Sequence, residues 1–131
     1  MSKSKRIELR ENYMLGWYQM DIDMLLATTS PDFIFDDPAQ PEPVTRASLA
    51  VYMQRWDTRV RTLGGDNEWI LTHLSRIDEN GVLTDWEWWQ VAGTAIQGAA
   101  VVITRDDGVQ LERITYFDRH TRHCGMQTGS T

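Results

Sequence analysis

Beyond Gly64-Gly65 the chain runs through four strand-length segments in succession, and this run limits the possible folds more than any other feature. Residues 68–77, 82–91, 94–104 and 109–118 are rich in Trp, Val, Ile, Thr and Leu. Between them lie Asp78-Glu79-Asn80-Gly81, Ala92-Gly93 and Arg105-Asp106-Asp107-Gly108. Asn, Asp and Gly tolerate the positive φ of tight hairpins, so the segments predict an antiparallel meander. Ahead of it the periodicity is helical. Leu9, Tyr13, Trp17 and Met20 recur at spacings of four, four and three, which predicts a helix from about Ser4 to Met20. Asp21 is an N-cap for a short helix over 22–28, and Thr45 or Ser48 opens a third that reaches about Arg61. The inward stripe of this third helix is Leu49, Tyr52 or Met53, Trp56 and Val60. Helices followed by an antiparallel sheet predict an α+β fold with the helices on one face of a curved meander.

A length of 131 residues suits one domain, ordered over about 5–118, with a polar tail over 119–131 that reads as poorly ordered. A net charge of -6 argues against a nucleic-acid partner, which needs a basic face. No apolar run is long enough to span a membrane, and MSKSKR leads into no signal-peptide core, so no membrane partner is expected. The single cysteine, Cys124, excludes an intramolecular disulfide and fits a cytoplasmic location. Six tryptophans are rigid apolar surface that can line a cavity, fill a core or form a subunit interface.

Two-residue and four-residue loops at Ala92-Gly93 and Arg105–Gly108 set a register in which Glu87, Gly98 and Thr115 form one cross-strand row and Asp85, Ala100 and Arg113 another. That face also carries Ile70, Thr72, Leu74, Leu83, Trp89, Ile96, Val102, Leu111 and Phe117, and small Gly98 and Ala100 leave room for a ligand. The opposite face holds Trp69, Leu71, His73, Trp86, Trp88, Glu112, Ile114 and Tyr116. Exposed aromatics there suit a homodimer through Trp86, Trp88 and Tyr116, with His73 between the two tryptophans. The reverse assignment, with this second face under the helices, stays open.

The stretch PDFIFDDPAQPEP, residues 31–43, ends a short apolar strand at Asp36-Asp37 and then forbids regular structure with Pro38, Pro41 and Pro43. Asp37 is thereby either a general base at a pocket mouth or part of a solvated turn. Asp85, Glu87 and Arg113 are either ligand-facing groups or a structural ion-pair set. His120, His123 and Cys124 bring three metal-ligand types together without a fourth, so no metal site is expected. There is no Gly-rich phosphate loop, nucleophile elbow or zinc spacing.

Tyr13, the run DIDMLLATTSPDFIFDDP with Gln40 and Pro41, and the terminal GVQLERITYFD together resemble the nuclear-transport-factor-2-like superfamily, in its SnoaL-like and ketosteroid-isomerase-like branch. The resemblance covers about residues 5–118 and implies a conical α+β fold with a deep apolar pocket, dimeric through the sheet. It also implies a cofactor-independent isomerase, cyclase or lyase acting on a small apolar or aromatic carbonyl compound, or else a binding module of the same shape. By ungapped spacing the isomerases' base falls on Asp37 and their oxyanion-hole tyrosine on Tyr13. Trp17, Phe33, Phe35, Trp56, Asp85, Glu87, Trp89, Arg113, Thr115 and Phe117 are the expected ligand-binding residues. The isomerases' second oxyanion donor falls near Val102, and the cyclases' catalytic aspartate falls on Thr115.

Overall fold

The computed structural model describes residues 4–66 and 68–117. Helix α1 (Lys5–Tyr18) is opened by Ser4, whose hydroxyl accepts the Ile7 N–H, and α2 (Ile22–Thr28) by Asp21, which accepts the Met24 N–H. Gly16 lets the two helices close on each other, since a Cβ there would lie 2.8 Å from the Leu25 side chain. Strand β1 (Thr29–Asp36) follows without a loop, longer than the apolar core of its sequence suggests. After the proline-rich turn come β2 (Val44–Thr45), a single 3-10 turn and α3 (Leu49–Thr62). Arg46 ties this junction together by donating to the carbonyls of Leu26 and Thr29.

The remaining strands are β3 (Trp69–Glu79), β4 (Val82–Val91), β5 (Gln97–Arg105) and β6 (Gly108–Tyr116). They form the expected meander, which β1 and β2 extend to six strands in the order β2-β1-β6-β5-β4-β3. Because β1 runs parallel to β6, the sheet is mixed and not purely antiparallel. The helices cover its concave face. Their stripes (Tyr13, Trp17, Leu49, Tyr52, Trp56 and Val60 among them) meet Phe33, Phe35, Trp89, Ala100, Val102 and Ile114 in one buried cluster. The polar tail, with His120, His123 and Cys124, lies outside the described residues. No described helix is long and apolar enough to cross a membrane.

Register is where the structure departs from the sequence-based expectation. Asn80 and Gly81 both take positive φ, 56° and 77°, and make the two-residue hairpin. The β4–β5 loop is longer than two residues, with Val91 N–H bonded to the Ile96 carbonyl, so Glu87 faces Ala100 and Trp89 faces Gly98. A shift of two residues keeps each side chain on its face, and Asp85, Glu87, Trp89, Gly98 and Ala100 do point inward. Two single-residue bulges do the opposite. One, at Leu74, separates the pairs His73↔Glu87 and Ser75↔Trp86; the other, at Gln110, separates Ile103↔Leu111 and Thr104↔Val109. Each turns the strand beyond it over. Trp69 and Leu71 of β3, and Glu112, Ile114 and Tyr116 of β6, therefore face the helices, while Arg113, Thr115, Ile70 and Thr72 face away.

Candidate functional site

Between helices and sheet lies a narrow hollow of about 20 Å³. Trp17, Phe35, Tyr52, Trp56, Trp69, Trp89 and Ile114 supply most of its wall. Glu112 is the one carboxyl group in that wall. The Gln110 bulge places it there, directly opposite Val102 of β5. Tyr13, wholly buried on α1, donates its hydroxyl to Glu112 Oε1 at 2.6 Å. Burial among aromatic rings pushes the Glu112 carboxyl up to about 7; the Arg10 charge and the Tyr13 hydrogen bond oppose the rise and the Glu87 charge adds to it. The same burial, with the nearby Glu112 charge, drives the Tyr13 phenol far above its ordinary value. At neutral pH the dyad thus holds a phenol that stays protonated and a carboxyl group poised between its two forms.

A second cluster is built around Asp37, which is 2% exposed at the end of β1. Its Oδ2 accepts from the hydroxyls of Tyr52 at 2.7 Å and Tyr116 at 2.8 Å, and its Oδ1 from the Ala39 N–H at 2.8 Å. Burial raises the Tyr52 phenol most, and the Tyr116 phenol similarly, so both remain donors. Tyr52 carries this cluster to the wall of the hollow; Asp37 itself is not part of that wall. Asp37 and Tyr13 therefore serve different partners.

A third cluster lies on the inner face of β4. Arg10 pairs with Glu87 and lies 3.2 Å from Asp85, while Arg76 grips Asp85 through two hydrogen bonds of 2.6 and 2.9 Å. His73 Nε2 lies 3.1 Å from Asp85 Oδ1, which places it beside this carboxylate and not between Trp86 and Trp88. Burial alone would raise the Asp85 carboxyl, yet the Arg76 hydrogen bonds and the Arg10 charge hold it below the usual range. Burial lifts Glu87 despite Arg10, and neighbouring Asp85 adds to the lift.

Of the residues expected to bind a ligand, Trp17, Phe35, Trp56 and Trp89 line the hollow. Phe33 is buried behind it, edge-on to Tyr13 with ring centres 5.9 Å apart. Asp85 and Glu87 face inward but are held in the ion-pair cluster. Arg113 and Thr115 lie on the outer face, where Arg113 pairs with Asp36 at 2.8 Å and Thr115 donates to the Ala99 carbonyl at 3.4 Å. Phe117 stacks on Trp88 with ring centres 5.2 Å apart. Tyr116, expected on the outer face, is turned inward to Asp37. Sequence reasoning missed Glu112 because nothing in the β6 sequence marks Gln110 as an unpaired residue, and Trp69 because nothing in β3 marks Leu74; Tyr52 it placed on the inward stripe of α3 without a role in the site. Among the described residues no group of three His, Cys, Asp or Glu side chains is placed to hold a metal ion.

No protein-family model and no curated protein matches this chain. Solved structures do. TerC co-crystallised with polyporic acid superposes with a TM-score of 0.65 at 16% identity, covering 92% of this chain and 97% of the other. An M. tuberculosis LEH-like epoxide hydrolase gives 0.62 at 12% identity, with 97% of each chain covered. A candidate ketosteroid isomerase from Kribbella flavida gives 0.58 at 17% identity, covering 86% of this chain and 77% of that one. Three helices seated in a bent, mixed six-stranded sheet, superposable over nearly their whole length on such structures, mean that this chain has the conical fold of the nuclear-transport-factor-2-like superfamily.

Proposed function

We propose that the protein is a cofactor-independent isomerase, cyclase or lyase of the SnoaL-like and ketosteroid-isomerase-like kind, acting on a small, largely apolar carbonyl compound, with Glu112 as its acid-base group. The carrying observation is the Glu112 carboxyl, raised to about 7, in an aromatic hollow with Tyr13 on one oxygen at 2.6 Å. Ionised Glu112 takes a proton from the carbon beside the carbonyl; the C–H electron pair forms the new C=C bond while the carbonyl π pair moves onto oxygen, and as the enolate collapses the protonated acid returns the proton to a different carbon or to the leaving oxygen. Trp17, Trp69 and Trp89, all in the wall, carry buried indole N–H groups without a hydrogen-bond acceptor, and these are donors available to the developing oxyanion. Tyr13 holds the carboxyl in place and keeps its ionised form accessible.

An alternative base is Asp37, favoured by its burial and by its bond to Tyr52 at the hollow wall. A thermal-shift screen of cyclic ketones, lactones, epoxides and aromatic acids, followed by turnover assays of the hits, separates the two. Glu112→Gln is expected to lower kcat by about a hundredfold or more and to erase an inflection near pH 7. Unchanged turnover in Glu112→Gln with loss in Asp37→Asn would move the chemistry to Asp37; ligand binding without turnover would make the protein a binding module. We also propose that the outer sheet face, where Trp86 is 47% exposed beside Trp88, is a homodimer interface, without Tyr116.

A further inference from the structure

Outside the hollow, the C-terminal half of α3 and the β4–β5 loop bound an open groove of about 770 Å³. Arg59, Leu63, Thr94, Ile96, Tyr116 and Phe117 form most of it. The chain carries 19 acidic against 13 basic residues, yet among the described residues no carboxylate lines this groove and one guanidinium does. Arg59 has no carboxylate partner among the described residues; it bonds the Tyr116 side chain, whereas Arg46 is taken up by carbonyls and Arg105 by Gln110. The Arg59 Cζ lies 5.9 Å from the Trp56 ring centre and 5.6 Å from that of Tyr116. A cation resting on two rings is pre-ordered, with little side-chain freedom left to lose on binding. Those rings also set the place of the groove. Trp56 is part of the hollow wall, and Tyr116 stands edge-on to Trp89 of the same wall, ring centres 5.6 Å apart.

The bland role of a basic residue near a helix end is to complement the helix dipole. Arg59 and Arg61 both lie in the last turn of α3; Arg61 pairs with Asp57, whereas Arg59 is laid over rings. The neighbouring groove beneath Arg55 is a poorer anion site, because Glu42 lies in its wall.

We propose that this groove is the mouth of the hollow and that Arg59 selects substrates bearing a carboxylate, held there with the apolar body against the Tyr116 and Phe117 rings. The inference rests on the small-molecule reading above and names the class of compound that the site takes. A planar guanidinium matches a carboxylate bidentately, and a cation with no carboxylate beside it among the described lining residues distinguishes an acid from its ester.

The test uses the full chain, naphthoate and its methyl ester, with binding followed by tryptophan fluorescence at low ionic strength. Wild type is expected to bind the acid about tenfold tighter than the ester. Arg59→Gln should bring that ratio to about one with the ester's affinity unchanged, and Arg61→Gln should leave it alone. Equal binding of acid and ester to wild type, a preference that survives Arg59→Gln, or an equal loss in Arg61→Gln would overturn the proposal. Any of these leaves Glu112 untouched as the acid-base group, because the ester still binds. Failure of both compounds to bind would overturn the mouth; the small-molecule reading stands or falls separately, on the screen and the Glu112→Gln turnover assay. Glu112→Gln should not change the acid-to-ester ratio, so loss of turnover in that variant is read separately.

Discussion

Asp37 accepts three hydrogen bonds on two oxygens, and this arrangement sets what its replacement does. In Asp37→Asn the amide oxygen can keep the two phenols, but the amide nitrogen then meets the Ala39 N–H, donor against donor. One buried polar group is left unsatisfied, and the expected cost is about 1–3 kcal/mol in denaturant melts. If Glu112 is the acid-base group, this variant keeps the pH 7 inflection that Glu112→Gln loses. Asp37 was legible in the sequence as a special position because three prolines and an adjacent apolar strand isolate it. Its partners were not, since Tyr52 lies 15 residues and Tyr116 79 residues away in the chain.

At the scale of the element, β6 and β3 carry the main lesson. The order of the hairpins and the helix stripes follow from local signals: positive-φ residues at the Asn80-Gly81 turn, apolar spacing on α1 and α3, side-chain caps at Ser4 and Asp21; strand ends do not, since β5 starts at Gln97 and not at Thr94. Face assignment follows from parity, and parity is reversed by one unpaired residue. The same arithmetic that put Asp85 and Glu87 inward correctly put Arg113 and Thr115 inward wrongly, with only Gln110 between the two outcomes. What remains on the convex face includes Ile70, Leu74, Ile77 and Trp86, all more than 45% exposed. As the proposed dimer interface, this face predicts that Trp86→Glu shifts the protein to monomer in light scattering while its helix and strand content is retained. A wild-type monomer at micromolar concentration would exclude that interface.

For the whole molecule, the buried Glu112 predicts how stability depends on pH. Its carboxyl is raised from the ordinary 4.5 to about 7, so from about pH 4.5 upward the unfolded chain releases this proton before the folded one does. Stability contributed by the neutral acid is present below that window, is lost as pH rises through it, and settles above about 7; the total is on the order of 3 kcal/mol. Glu112→Gln keeps an acceptor for Tyr13 without the charge. It is expected to melt at least as high as wild type at pH 8, with the difference shrinking towards pH 5. An equal gap at both pH values would show that Glu112 does not titrate there. Asp85, held below the usual range, acts in the opposite sense at more acidic pH, where protonation breaks its pairing with Arg76. By itself the sequence determined the α+β class, the helices and meander, the Asn80-Gly81 hairpin and the isolation of Asp37, because each depends on neighbours within a turn or two of chain. The tertiary structure alone decided that β1 joins β6, that two bulges reverse two strands, and that Glu112 meets Tyr13 inside the cone. Those outcomes depend on backbone pairing between distant segments, and residues far apart in the chain carry no local mark of which of them will meet.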